Sequence, residues 1–176
     1  KDGNLFVADD LNNRVRRVAA SDGVITTHAG TGAFGFGGDG GQARAATIAL
    51  PESIAVDAQG NVLVGHLGLI RRIGPNGVIT RIAGTSEILF NRESGAATEV
   101  AMDPIDLQAL ADGSILVTDA LNSRIRLLSP VRPASLTISS GNNATSPAGS
   151  SVTLSAKIAD ATGIAIANEP VAFAVT

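Results

Sequence analysis

Two histidines, His28 and His66, and no cysteine limit the metal chemistry open to this chain. Without thiolates, a zinc centre must gather imidazoles and carboxylates around one point. Asp39 lies in Gly35-Phe36-Gly37-Gly38-Asp39-Gly40, which formally matches a Gly-x-Gly-x-x-Gly phosphate loop. That fingerprint works only between a strand and the helix it opens, and the surroundings here read as β. The same loop offers calcium one carboxylate plus carbonyls, whereas the ion takes about six to eight oxygens. The structural alternative is a tight loop with glycines at positive φ, its Asp39 capping the short Gln42–Ala49 segment.

A second set of charged residues recurs. Asp9, Asn12, Arg14 and Arg16 return 110 residues later as Asp119, Asn122, Arg124 and Arg126, inside Val7–Arg16 and Val117–Arg126. The spacing puts Asp at the end of one strand and Arg at the start of the next. A feature that repeats with the architecture usually serves it, so these residues read as a structural ion pair and turn, with partner binding as the other reading. A middle copy, Asn61–Val64 then Leu69–Ile73, has a shorter turn and lacks the Asp and Asn. His66 stands there in the place of Asp119, while His28 falls late in an outer strand. The two are therefore not equivalent, and they read as polar surface or edge residues.

The connecting segments repeat too. Gly30-Thr31, Phe36, Gly41 and Ala43 reappear 54 residues on as Gly84-Thr85, Phe90, Gly95 and Ala97. Pro51 and Gly60 match Pro104 and Gly113 at 53. Each unit reads as four short strands, in the middle copy Ser53–Asp57, Asn61–Gly65, Leu69–Ile73 and Val78–Ala83, joined by Asp57–Gly60 and Pro75-Asn76-Gly77 turns. Leu5-Phe6-Val7, Val62-Leu63-Val64 and Ile115-Leu116-Val117 do not alternate, which predicts sheets buried on both faces. A propeller buries them so, each blade packing between two others.

Residues 2–9 with Asn12-Asn13-Arg14-Val15-Arg16, and Gly30-Thr31-Gly32 through Gly38–Gly41 to Leu50-Pro51 and Ile54–Asp57, resemble the NHL repeat in its bacterial form. The resemblance implies an all-β chain whose residues 1–130 are a partial β-propeller of about three four-stranded blades. In the third copy Asn91-Arg92-Glu93-Ser94 replaces the Gly-Gly-Asp-Gly stretch. The first copy is expected to lack its inner strand and the last its fourth. Closed rings carry about four to eight blades, so upstream blades of the same chain are the expected partners of the sheet edges left open here. The long linkers and strand turns should share one face of the ring. Phe34, Phe36, Asp39, Arg44, His66, Phe90 and Arg92 are the candidate binding residues on it; the phenylalanines equally suit plugging the space above the blades.

Pro130–Pro133 breaks the pattern, and residues 131–134 read as a linker. Beyond it Ser135–Ser140 and Ser151–Ala159 alternate polar and apolar residues, and Glu169–Thr176 is a further strand candidate. The run Ala159–Gly163 through Asn168–Phe173 resembles bacterial Ig-like domains of the invasin and intimin type, which implies a truncated Ig-like β-sandwich over 135–176. Asn143-Ala144-Thr145 is a formal glycosylation sequon, read here as loop.

At net charge −3 the chain lacks a nucleic-acid footprint. No apolar run reaches the ~18 residues of a membrane span. With 44% apolar residues but only 3% aromatic, the core must come from Val, Ile, Leu and Ala. No cofactor is expected. The order of a propeller followed by an Ig-like domain suggests a non-catalytic binding or adhesion scaffold, part of an exported or surface-displayed bacterial protein with a protein or carbohydrate ligand. Two alternatives stay open. Some NHL-like propellers are metal-dependent lyases with histidines near the axis, so one alternative is a metal-dependent propeller lyase or hydrolase; the other is a sensor ectodomain tethered to a signalling enzyme.

Overall fold

The computed structural model describes residues 2–130, 135–140 and 155–159. The chain divides into two compact units, Lys1–Ser129 and Pro130–Thr176. Among the described residues no helix is long and apolar enough to cross a membrane.

The first unit holds three antiparallel sheets. Strands β1 (Leu5–Asp9), β2 (Arg14–Val18) and β3 (Ile25–Ala29) form the first blade in the order β1-β2-β3. The middle blade is β4 (Pro51–Val56), β5 (Val62–His66), β6 (Leu69–Ile73) and β7 (Ile79–Gly84), in chain order. The third is β8 (Pro104–Ala109), β9 (Ile115–Asp119) and β10 (Arg124–Leu128). Thus the expected four strands form in the middle blade. Among the described residues its neighbours carry three each, the first without an inner strand and the third without an outer one. In the second unit β11 (Ser135–Ser140) pairs antiparallel with β12 (Ser155–Ala159). The linker at 131–134, the sequon and the Glu169–Thr176 strand expectation lie outside the described residues.

Register explains why the repeat is so regular. Asp9 faces Arg14 and Val7 faces Arg16; His66 faces Leu69 and Val64 faces Arg71; Asp119 faces Arg124 and Val117 faces Arg126. Bulges recur at matching places. One lies opposite the Val15/Arg16 and Ile70/Arg71 steps, and the other at Pro51/Ser53 and Pro104/Asp106. Each bulge bends its strand and increases the local twist.

The core lies between blades. Val15 and Ala29 of the first blade meet Val62, Val64, Ile73 and Ile79 of the second, with Ala43, Ala46 and Ile48 of the intervening loop packed among them. Leu63, Ile70 and Ala83 turn the other way onto Met102, Leu107 and Val117. Val62 and Val64 thus face one blade and Leu63 the next, which is why this strand does not alternate. The equivalent strands of the outer blades are half covered: Leu5 is 61% exposed.

Candidate functional site

Two long loops, residues 30–50 and 85–103, join the blades, and in each a buried arginine of the blade that follows donates to the loop's main chain. In the middle blade Arg71 is fully buried. Its Nε donates to Asp39 Oδ1 at 3.0 Å, and its terminal nitrogens donate to the carbonyls of Thr47 (2.9 Å) and Gly37 (3.0 Å). In the third blade Arg126 occupies the same register. Its Nε donates to Asp119 Oδ2 at 2.6 Å and Nη1 to the Glu93 carbonyl at 3.1 Å. Arg16 is the first-blade equivalent and reaches Asp9 at 3.5 Å.

The repeated Asp–Arg ion pair is therefore real, but it runs along the cross-strand diagonal, which a long side chain can span. The directly opposed arginines do something else. Arg14 donates to the carbonyls of Asn12 (3.1 Å) and Thr31 (2.7 Å). Arg124 donates to the Asn122 carbonyl at 2.6 Å, pairs with Glu93 at 3.3 Å, and lies 4.3 Å from the centroid of Phe90. Asn12 and Asn122 complete the turns by donating to Asp9 and Asp119, each at 2.7 Å.

The middle blade solves the absence of its strand-end acid by taking Asp39 from the loop. Asp39 caps no helical turn; its carboxylate is the counter-ion of a buried guanidinium. A single 3₁₀ turn, Ala43–Ala45, follows without a side-chain cap. Of the glycines, Gly38 has φ +98°, and a Cβ there would meet Ala46 Cα at 2.7 Å. The loop thus has the conformation of a blade connector, and no helix opens on it.

His66 is buried, at 1% exposure, and not at the surface. It lies beneath Phe36, whose ring stacks on it at 6.0 Å and 20°. Burial, then the Arg71 charge, lowers its pKa to about 3 against a smaller opposing contact with the Ala49 main chain. His28 is the bulged residue of β3 and packs edge-on against Phe6 at 4.8 Å. Its pKa is lowered by burial first, and then by Arg17 and Arg44. No group of three His, Cys, Asp or Glu side chains suited to a metal converges among the described residues.

The seven loop-face candidates separate accordingly. Phe36, Asp39 and His66 come together around Arg71. Phe34 stands edge-on to Phe36 at 5.9 Å and is 58% exposed. Phe90 and Arg92 belong to the second loop, where Arg92 pairs with Glu99 at 3.0 Å. Arg44 is exposed on the 3₁₀ turn. Asn91 stands in for Gly37 of the first loop. Its side chain accepts from Ala101 N at 2.9 Å, where Thr47 N donates to the Gly37 carbonyl at 3.2 Å. Sequence reasoning passed over Arg71. Its one available signal was its place in the strand, two residues beyond the position facing His66.

Beside Phe36 opens a cleft of about 490 Å³, lined also by Asp39, Gly40, Leu69, Thr80, Arg81 and Ser86.

Blade order, repeated bulges and blade-on-blade packing define this unit as part of a β-propeller. Residues 35–109 match the family model of the teneurin NHL domain. Mouse teneurin-3 is 28% identical over 125 residues, 64% of this chain and 5% of teneurin-3. Mouse teneurin-1 is 30% identical over 105 residues, 52% of this chain and 4% of that protein. The chain thus spans about a twentieth of the length of these curated relatives. A crystal structure of a protein of unknown function from Bacteroides thetaiotaomicron VPI-5482 superposes with a TM-score of 0.63 at 23% identity, over 72% of this chain and 32% of that one. That likeness establishes the fold.

Proposed function

We propose that the chain is a non-catalytic binding scaffold, belonging to a larger exported bacterial protein in which the propeller is followed by Ig-like sandwich domains. One observation carries the reading. Two long loops are pinned to the sheets by buried arginines while their tips display Phe34 at 58%, Leu89 at 70% and Phe90 at 46% exposure. Apolar side chains held in water by a rigid frame suit recognition, since little ordering remains to be done on binding. The antiparallel pair β11–β12, with its alternating sequence, supports a one-sided sandwich strand pair for the second unit.

The test is to immobilise the full chain and screen it against glycans and extracellular protein domains, with and without chelator. The scaffold reading expects saturable, chelator-insensitive capture without consumption of the ligand. It also expects capture to weaken at least tenfold in Phe34→Ala or Phe90→Ala. Chelator-sensitive turnover would replace it with the metal-dependent lyase alternative.

A further inference from the structure

The outer strands of the first two blades are copies of one another. Gly23-Val24-Ile25-Thr26 and Ala29-Gly30-Thr31 return 54 residues on as Gly77-Val78-Ile79-Thr80 and Ala83-Gly84-Thr85, with only Thr27 and His28 changed, to Arg81 and Ile82. Each pairs with the strand before it in one register. Ile25 faces Val18 as Ile79 faces Ile73, and Thr26 faces Arg17 as Thr80 faces Arg72. Past the bulge, Ala29 faces Val15 as Ala83 faces Ile70. The third blade has the strand that would receive such a partner. Among the described residues β10 is an edge of its sheet, and its Leu128, Leu127 and Ile125 hold the positions of Ile73, Arg72 and Ile70. Ile70 is fully buried, whereas Ile125 is 67% exposed. The chain leaves β10 through Ser129 and Pro130, and the strands described beyond it, β11 and β12, pair with each other.

The end of this slot selects its occupant. In both complete pairings the outer strand closes on a glycine in the left-handed region, Gly30 at φ +91° and Gly84 at φ +88°. A Cβ on either would run into a main-chain carbonyl of the facing turn, that of Asn13 for Gly30 and of Gly68 for Gly84. Asn13 and Gly68 are themselves left-handed, at φ 51° and 75°. Ser123 is the third-blade residue at that place in the turn, also at φ 51°, and it is exposed. A strand laid on β10 in the repeated register would therefore need glycine against Ser123. The isoleucine position is read on the opposite end. Ile79 is fully buried in the core between the first two blades. An isoleucine opposite Leu128 would extend the second core, which Leu128 borders. The two positions that differ between the copies lie at the bulge and make no such demand.

We infer that the free edge of β10 is a strand-addition site for an extended segment of another polypeptide with the pattern Ile-Thr-x-x-Ala-Gly. The main-chain ladder supplies affinity, and the glycine against Ser123 supplies selectivity. The probe is a fluorescently labelled nonapeptide with the sequence of residues 23–31, titrated into the full chain and followed by anisotropy. Amide NMR shifts of the isotope-labelled chain locate it. Binding should saturate, with shifts over residues 123–128. Gly30→Ala within the peptide should weaken it at least about tenfold, through both the carbonyl contact and the positive φ. Ile25→Ser should weaken it about tenfold, the scale of one lost apolar burial. His28→Ile, the change that the middle blade itself carries, should leave binding within about twofold. A scrambled peptide of the same composition should not bind. The inference is overturned if the nonapeptide does not saturate, which would mean that the edge is closed by the chain's own second unit or by another copy. It is overturned equally if the Gly30→Ala or scrambled peptide binds as well, which would reduce the edge to unselective adhesion. Shifts over residues 14–18 or 69–73 instead would also sink it, since the peptide would then be displacing β3 or β7. None of these failures touches the loop tips, so the scaffold reading would stand.

Discussion

His66 shows how one side chain can redirect a repeated piece of local geometry. In the flanking blades a strand-end Asp pairs diagonally with Arg16 or Arg126; here the imidazole cannot, and the buried Arg71 draws its counter-ion from 32 residues away. The imidazole has a folded pKa of about 3, depressed below its ordinary value of 6.5. The unfolded chain therefore binds the extra proton first, and stability contributed by neutral His66 is present above pH 6.5 and lost as pH falls toward 3. The slope from this group is at most about 1.4 kcal/mol per pH unit. Denaturant melts at pH 7.5 and 4.5 should show wild type losing more stability than His66→Phe; equal losses would mean that His66 is not titrating from a buried state. The arginines give a second contrast. Arg71→Ala removes a fully buried head group, strips Asp39 of its counter-ion and takes one donor each from the Gly37 and Thr47 carbonyls, and should destabilise by roughly 3 kcal/mol. Arg16→Ala, whose pair is long and partly exposed, should cost about 0–1 kcal/mol. Equal costs in chemical denaturation would remove the loop-clasp argument.

At the scale of elements, the two long loops reach one geometry by two chemistries. The first uses glycine and a backbone carbonyl; the second uses the Asn91 side chain. Gly38→Ala should therefore destabilise by roughly 1–3 kcal/mol through its positive φ, with the Ala46 contact adding to it. Measuring the denaturation midpoint against a control at Gly40, where an added Cβ meets nothing, separates crowding from backbone strain; identical losses would leave strain alone. Strands and their order were legible in the sequence because apolar runs and turn residues are local signals, and the middle blade's boundaries differ from expectation by only one or two residues. The Asp–Arg pairing was legible as a recurrence but not in its partner, since choosing Arg126 over Arg124 depends on cross-strand register. Arg71, the burial of His66 and the cleft over Leu69 were not legible. Each depends on a loop folding back onto a strand distant in sequence, which no local pattern reports.

At the scale of the molecule, the middle blade is covered on both faces and the outer two on one each. The first blade leaves Leu5 and Val7 exposed at 61% and 38%, beside Arg16 with its buried Nε unpaired. The third leaves Ile125 and Leu127 at 67% and 56%. Two unlike apolar faces on one body favour head-to-tail contact, since each matches a side of the blade interfaces already formed within the chain. The expected outcome is a weight-average mass that rises with concentration in analytical ultracentrifugation. Ile125→Lys with Leu127→Lys should restore the monomer. Because both side chains stand in water, the unfolding free energy should change by no more than about 0.5 kcal/mol per site. A mass that stays monomeric at every concentration would show that the two faces do not complement each other. A mass that rises equally in the double variant would place the contact elsewhere, with the unpaired edges of β1 and β10 as the next surfaces to block.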